Sequence, residues 1–175
     1  LPNAIARTRQ SGHLLDRSGG SVAAFDYLYL PRMHRRGFVA RDVLDVPRSE
    51  AALPGGYVME SKPGIYENVL LLDFKSLYPT IIMTFFIDPL GAIEAESGPA
   101  IRGPVGPPFQ RENPILPTMI RRLMTARAEA KKTGNTALSQ ATKILMNSFY
   151  GVLGSPGCRF FSPELAHTIT GTGQY

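Results

Sequence analysis

Residues 115–132 (ILPTMIRRLMTARAEAKK) carry their apolar side chains at helical spacing. Ile120, Leu123 and Met124 recur on one face of such a helix, while basic residues occupy another. This alternation of an apolar and a charged face predicts an amphipathic helix that packs against a core on one side only.

A second stretch with the same periodicity follows at residues 136–154 (TALSQATKILMNSFYGVLG). Gly134 is suited to end the first helix, because glycine adopts the left-handed backbone of a helix C-terminus at little cost. Asn135 is suited to begin the second, because its side chain can accept a hydrogen bond from a free backbone N–H. Helices joined by so short a turn are predicted to form an antiparallel hairpin.

The middle of the chain has continuous apolar runs between turn signals. YVM (57–59) and IYENVLLLDF (65–74) are predicted to be two short strands joined by a tight turn. Val69–Leu72 has no polar break, which suits a strand buried on both faces. A helix is predicted over residues 76–86, so Asp73 would stand where a strand ends and a helix begins.

Glycine and proline mark two further regions. Residues 97–108 (SGPAIRGPVGPP) are dense in both and nearly uncharged, which predicts a loop or a disordered excursion. Pro31 and Gly37 bracket a basic cluster and argue against a long helix there, so we expect either a solvated face or contacts to nucleic-acid phosphates. The basic residues of this cluster are Arg32, Arg35 and Arg36. Together these patterns predict an α+β fold.

Composition places the chain among ordinary globular proteins. It has 175 residues, of which 43% are hydrophobic and 19% charged, a length for about one domain. No apolar run reaches the roughly 18 residues that a membrane helix needs, and a single cysteine cannot form an internal disulfide. The N-terminal LPNAIARTRQ lacks an initiator Met and a signal-peptide core, so we expect an excised piece of a longer chain.

The net charge of +5 is concentrated in the last third of the chain. Residues 1–109 contain eleven basic and eleven acidic side chains, whereas residues 110–175 contain eight basic and three acidic ones. A concentrated positive field favours polyanions such as nucleic acid, nucleotides or an anionic membrane, although a solvated basic face would have the same composition.

Candidate chemistry falls on Asp73 and on the predicted hairpin. A carboxylate at a strand end can hold a divalent metal, or can simply cap a helix. On the first hairpin helix Arg127 and Lys131 share a face, since they are four residues apart. Lys143 and Asn147 share a face of the second in the same way, and Tyr150 is three residues further on. These groups suit a triphosphate and a base, but spacing alone favours an amphipathic hairpin with solvated lysines.

Two strings narrow the choice. DFKSLYPTII (73–82) and KILMNSFYG (143–151) resemble the polymerase signatures of family B DNA polymerases, D-x-x-S-L-Y-P-[ST]-I-I and K-x-x-x-N-S-x-Y-G. They stand in the family's order, with the R-x-x-x-K pair of the hairpin between them. Residues 19–40 and 54–69 resemble a bacterial branch of the same family. The chain is therefore identified as a member of this family.

The resemblance implies an architecture of a partial palm β-sheet with an antiparallel two-helix fingers hairpin. Residues 1–56 would lead into the palm, and 57–112 would carry the first motif and the Gly/Pro-rich loop. Residues 113–154 would be the fingers hairpin, and 155–175 would return toward the palm.

The resemblance also implies roles for the first motif in DNA-templated DNA synthesis, in which a two-metal displacement adds a deoxynucleotide to a primer 3′-end. Asp73 would be the catalytic carboxylate that binds both Mg²⁺ ions, and the Phe74 carbonyl would complete one coordination shell. Ser76 and Leu77 would meet the triphosphate through their backbone N–H groups. The ring of Tyr78 would lie under the deoxyribose, where a ribose 2′-hydroxyl would collide with it.

The hairpin would supply the other nucleotide contacts. Its cations would neutralise the triphosphate, and these are Arg127, Lys131 and Lys143. Asn147 would complete the nucleotide site, Tyr150 would line the nascent base pair with it, and Gly151 would let the template strand approach closely. The implied partners are primer–template DNA and deoxynucleoside triphosphates, with a sliding clamp as an accessory of the intact enzyme and no membrane. The implied location is the bacterial cytoplasm, at the nucleoid.

The family's third motif, Y-G-D-T-D, does not occur in these 175 residues. It supplies a second catalytic carboxylate, so we expect the isolated chain to be inactive or nearly so. The alternative function is a non-catalytic module that binds DNA or a nucleotide through the basic hairpin.

Overall fold

The computed structural model describes residues 1–17, 20–46, 56 and 58–175. Helices dominate these ranges, with one small antiparallel sheet, in agreement with the predicted α+β class. In chain order the elements are α1 (Pro2–Ser11), α2 (Ser21–His34), α3 (Leu77–Thr84), α4 (Pro89–Glu94), β1 (Ala100–Arg102), β2 (Pro108–Gln110), α5 (Ile115–Lys132), α6 (Thr136–Leu153) and α7 (Pro163–Gln174). Short 3₁₀ turns occur at Leu15–Arg17, Val43–Asp45 and Ala95–Ser97.

The predicted helical hairpin is confirmed as α5 and α6. Gly134 adopts a φ of +70°, so the chain reverses directly after α5. The side chain of Asn135 accepts a 3.0 Å hydrogen bond from the backbone N–H of Leu138 and so caps α6. The two helices pack side by side, with Ile120 and Leu145 both fully buried between them and the rest of the core.

The core beneath the hairpin is built largely from aromatic rings. Phe25 and Tyr29 of α2 stack with ring centroids 5.2 Å apart, and Phe149 of α6 meets Phe25 edge-on at 5.3 Å. Phe160, in the segment before α7, packs against Tyr29 at 4.6 Å. These contacts anchor α2 to the base of the hairpin, since each such pair adds to the free energy of simple burial.

α2 runs through Pro31, so the expectation that Pro31 would bound the helix is wrong, whereas the helix does end at His34, before Gly37, and no long helix covers the basic cluster. Proline removes one backbone hydrogen bond of the helix, which disfavours this arrangement locally. Burial offsets that cost, because Tyr29 before the proline and Met33 after it both pack into the core. The backbone N–H of Arg35 still reaches the Pro31 carbonyl, at 3.3 Å.

The two strands predicted at 57–59 and 65–74 are not strands in the described part, Tyr57 itself lying outside it. Val69–Leu72, predicted to be buried on both faces, is exposed instead, with 75–88% of each residue accessible. An extended segment becomes a strand only beside another that takes up its backbone hydrogen bonds. No described segment lies there, because β1 and β2 pair only with each other. Asp73 therefore stands in an irregular segment and not at the end of a strand.

The Gly/Pro-rich segment, predicted to be a loop or a disordered excursion, is a loop flanked by two short strands that the prediction missed. β1 and β2 pair antiparallel, with Ile101 opposite Phe109, and the Phe109 side chain is fully buried. Residues 103–107 form the connection. The buried ring anchors the end of this segment to the core.

One stretch, Leu77–Ser97, is apolar enough by length and composition to cross a membrane, with a mean hydropathy of 1.2. It is not one helix, because the chain turns between α3 and α4 with Phe86 at a φ of +56°. Ile82, Ile87 and Leu90 from this stretch are buried in the core. Core packing accounts for its apolar character.

Candidate functional site

A tight turn carries the chain from Asp73 into α3. Ser76 adopts a left-handed backbone, with φ +55° and ψ +54°, and occupies the N-cap position. The Thr80 hydroxyl donates to the Lys75 carbonyl at 3.2 Å and the Thr80 N–H donates to the Ser76 carbonyl at 2.9 Å, which ties the turn to the first helical turn. The N–H groups of Leu77 and Tyr78 belong to this first turn, where helices leave their N–H groups without partners inside the helix.

The hairpin faces this turn across one cleft. The cleft has a volume of about 570 Å³, within the range of small-molecule sites. Every site residue predicted from the sequence except Gly151 lines it, although the two motifs and the basic pair come from three separate segments of the chain. The lining residues are Asp73, Phe74, Lys75, Ser76, Leu77, Tyr78, Pro79, Arg127, Lys131, Lys143, Asn147 and Tyr150.

Two tyrosine rings form one wall of the cleft. Tyr78 of α3 and Tyr150 of α6 lie with ring centroids 4.6 Å apart and planes inclined at 39°. Partial burial raises the pKa of Tyr150, and the neighbouring Tyr78 raises it further, so this phenol is neutral at physiological pH. The wall therefore offers two aromatic faces and the uncharged hydroxyl of Tyr150.

The cleft is strongly positive. Four of its side chains are cationic and one, Asp73, is anionic; the cations are Lys75, Arg127, Lys131 and Lys143. None of the four takes part in an ion pair among the described residues, whereas Lys132, next to one of them in sequence, lies 4.0 Å from Glu129. Cations gathered without carboxylate partners suit a multiply charged anion.

The oxygen donors of the cleft are too few to hold Mg²⁺ without further ligands from a substrate and water. Asp73 supplies a carboxylate and Phe74 a backbone carbonyl, and across the described ranges no three His, Cys, Asp or Glu side chains gather into a metal site. Mg²⁺ is usually held by one or two carboxylates together with phosphate oxygens of a substrate and water. The donor set is therefore compatible with a metal ion that arrives with a triphosphate.

Two residues depart from the sequence-based picture. Gly151 does not line the cleft; it is exposed on α6, and a Cβ built there would meet no atom within 4 Å. Lys75, to which we assigned no role from the sequence, lines the cleft. The sequence signal for this location was the position of Lys75 inside the first motif. Periodicity could not predict which way its side chain faces, because Lys75 lies in an irregular turn.

Comparisons with known proteins identify the family. Residues 17–175 match the family model described as DNA polymerase family B. The chain is 51% identical to DNA polymerase II of Escherichia coli strain K12, over 99% of this chain and 22% of that protein. It is 30% identical to the DNA polymerase alpha catalytic subunit of Drosophila melanogaster, over 99% of this chain and 14% of that protein.

A solved structure agrees with these matches. The family B DNA polymerase from the hyperthermophilic archaeon Pyrobaculum calidifontis is similar to this chain with a TM-score of 0.70 and 27% sequence identity. The similarity covers 97% of this chain and 25% of that one, so the chain spans only a small part of the length of its relatives. The family predicted from the two motifs is thereby confirmed, and the chain belongs to DNA polymerase family B.

Proposed function

We propose that the cleft binds the triphosphate of an incoming deoxynucleotide in a DNA-directed DNA polymerase. The observation that carries this proposal is the convergence of two motifs and a basic pair, all distant in sequence, on one positively charged cleft. The family of the chain supports the same activity. Primer–template DNA and deoxynucleoside triphosphates are then the substrates, in replication or repair of cytoplasmic, nucleoid-associated DNA, with a sliding clamp as an accessory partner.

Each part of the cleft has a task in this reaction. Arg127, Lys131 and Lys143 neutralise the triphosphate, and the N–H groups of Ser76 and Leu77 donate to its oxygens. Asn147, together with the rings of Tyr78 and Tyr150, positions sugar and base. Charge and shape together then orient the α-phosphate toward a primer 3′-hydroxyl.

Asp73 and the Phe74 carbonyl would hold Mg²⁺ with the nucleotide. Two bound Mg²⁺ ions stabilise the charge that develops on the attacking and leaving oxygens of a phosphoryl transfer. The chain's own contribution is to fix Asp73 beside the triphosphate cations, through the turn tied down by Thr80.

In the architecture that we propose, α5 and α6 form the fingers and residues 57–112 contribute to the palm. Gly151 remains a proposed point of close approach for the template, since its exposed Cα face is open. Among the residues that the structure describes, Asp73 is the one carboxylate that lines the cleft, and the 175-residue sequence contains no Y-G-D-T-D string. We therefore expect the 175-residue chain to bind a nucleotide without extending a primer.

Nucleotide binding by the 175-residue chain tests the proposal. The affinity for dATP, with Mg²⁺ in excess at about 5 mM, is compared between wild type, Lys143→Ala and Lys132→Ala. Loss of a charge-assisted contact should weaken binding about tenfold or more in Lys143→Ala. Lys132→Ala is the matched control, because Lys132 is exposed on the same hairpin and does not line the cleft.

Equal affinities in all three proteins would overturn the nucleotide site. Binding that depends on Lys143, together with the absence of Mg²⁺ dependence, would favour the alternative function, a non-catalytic module that holds a nucleotide or DNA through the basic hairpin. Template-dependent primer extension by the purified chain would contradict the expectation that these residues alone are inactive.

A further inference from the structure

A second basic cavity lies between α1, α2 and α5. It has a volume of about 180 Å³ and shares no lining residue with the Asp73 cleft. Arg32 of α2 and Arg122 of α5 line it together with Gln10 of α1, and Leu28 and Leu123 contribute apolar surface. Two arginines and a glutamine thus line one small space, which is large enough for several water molecules.

Within the described ranges, the arginines of this cavity lack the carboxylate partners that Arg36 and Arg159 have. Arg36 forms a bidentate pair with Glu94, at 2.6 and 2.8 Å, and Arg159 pairs with Asp26 at 3.3 Å. In the part of the chain that the structure covers, neither Arg32 nor Arg122 has such a carboxylate partner. The cavity therefore concentrates positive charge that the described protein does not neutralise.

Arg32 is held in this position by its own helix. The side chain is partly buried, and Nη1 donates to the Leu28 carbonyl one turn earlier. Burial lowers the pKa of the Arg32 guanidinium, and the positive charges of Arg122 and Arg35 lower it further. An arginine stays protonated under these conditions, so the repulsion between these like charges persists until an anion enters.

We propose that this cavity binds a backbone phosphate of a single-stranded DNA segment. Guanidinium groups bind phosphate in a bidentate manner, and the Gln10 amide can donate a further hydrogen bond. Exposed Arg35, at the end of α2, would extend the contact to a neighbouring phosphate. The choice of DNA over another phosphate source rests on the proposed function, whereas the anion site itself rests on the arrangement of Arg32 and Arg122.

Oligonucleotide binding by the 175-residue chain tests this site. Fluorescence anisotropy measures the binding of a labelled single-stranded oligonucleotide of about 16 nucleotides, the upper end of the usual size of a single-strand site. The titrations are repeated from about 50 to about 200 mM salt, the range over which affinity that depends on phosphate contacts falls steeply. Arg122→Gln should weaken binding about fivefold and reduce the salt slope by about 0.7, the value for one released phosphate contact. Arg121→Gln is the matched control, because it removes the same charge from the same helix without altering the cavity lining.

Arg122 is exposed on the surface of α5, so its replacement should leave folding intact, and a thermal unfolding curve checks this. Equal losses in Arg122→Gln and Arg121→Gln would overturn the proposal, since they would show a general response to net charge. A wild-type affinity in Arg122→Gln would overturn it as well.

A separate arm distinguishes DNA from free phosphate. If inorganic phosphate raises the melting temperature of wild type but not of Arg122→Gln, while both bind the oligonucleotide equally, the cavity takes free phosphate and the assignment to DNA is wrong. Nucleotide binding in the Asp73 cleft, tested with Lys143→Ala, is an independent measurement. The proposed function and this second site can therefore fail separately.

Discussion

The hydroxyl of Tyr29 donates a 2.8 Å hydrogen bond to Oδ1 of Asp88, and both side chains are fully buried. The same hydroxyl accepts a 3.0 Å bond from the backbone N–H of Leu90. Three backbone N–H groups also donate to the Asp88 carboxylate at 3.0–3.2 Å, those of Gly91, Ile115 and Leu116. One buried carboxylate thus caps α4 and α5 together, and it fixes the start of the helix that carries Arg127 and Lys131.

Asp88→Asn should destabilise the fold by about 2–4 kcal/mol. All four partners of the carboxylate are donors, and an amide would point its own N–H₂ group at some of them. Urea unfolding at neutral pH measures the free-energy difference. Asp16→Asn is the control, because the Asp16 side chain is 71% exposed and its change should cost less than about 0.5 kcal/mol. Similar unfolding midpoints for the two variants would show that Asp88 does not organise these helix ends.

Gly106→Ala should destabilise the chain far more than Gly134→Ala does. Both glycines have a left-handed backbone, with φ of +87° and +70°. A Cβ at Gly134 would meet no atom within 4 Å, so only backbone strain of about 1 kcal/mol is expected. A Cβ at Gly106 would collide with the Thr168 side chain of α7 as well, which should add roughly 1–3 kcal/mol. Thermal unfolding of both variants measures the difference, and equal melting temperatures would contradict the contact between the β1–β2 connection and α7.

Stability should fall at alkaline pH because of Cys158. Its side chain is fully buried, and burial raises the pKa of the thiol from 9.0 to about 11. The unfolded chain therefore releases its thiol proton first, so the stabilisation from the neutral thiol is present below pH 9.0 and lost as pH rises toward 11. The loss should be on the order of 2–3 kcal/mol.

Cys158→Ala isolates this effect, because it lacks the titrating group. The difference in unfolding free energy between wild type and this variant should narrow or change sign across that pH interval. If the unfolding free energies of wild type and Cys158→Ala change in parallel with pH, the thiol ionises as easily in the folded chain as in the unfolded chain.

Tyr78→Val should reduce the discrimination between deoxyribonucleotides and ribonucleotides, if the ring lies under the sugar as we propose. Removing the ring would open space for a 2′-hydroxyl, so the ratio of the ATP to the dATP dissociation constant should fall about tenfold, or roughly 1.4 kcal/mol. Tyr78→Phe keeps the ring and is the matched control, with an unchanged ratio expected. A changed ratio in Tyr78→Phe, or none in Tyr78→Val, would place the sugar elsewhere in the cleft.

Much of the hairpin could be predicted from the sequence, because its signals are local. The periodicity of residues 115–132, the left-handed Gly134 and the capping side chain of Asn135 each act within a turn or two of the chain. Most of the site residues could be predicted for a related reason, because they lie close together in two contiguous motifs that can be recognised in the sequence.

Predictions from local sequence were wrong where secondary structure depends on contacts with residues distant in the chain. Val69–Leu72 has the composition of a buried strand, yet the described chain places no strand beside it, and its backbone cannot complete a ladder alone. Pro31 lies inside a helix because the packing of Tyr29 and Met33 outweighs a lost hydrogen bond.

The helices of the hairpin, the motif residues and the concentration of positive charge toward the C-terminus could be predicted from the amino-acid sequence. Three features depend on tertiary contacts instead: Arg36 meets Glu94 while Arg32 faces Arg122, Lys75 lines the cleft, and one buried Asp88 caps two helices. Periodicity and capping depend on residues a few positions apart, whereas charge pairing, burial and strand pairing depend on groups that only folding brings together.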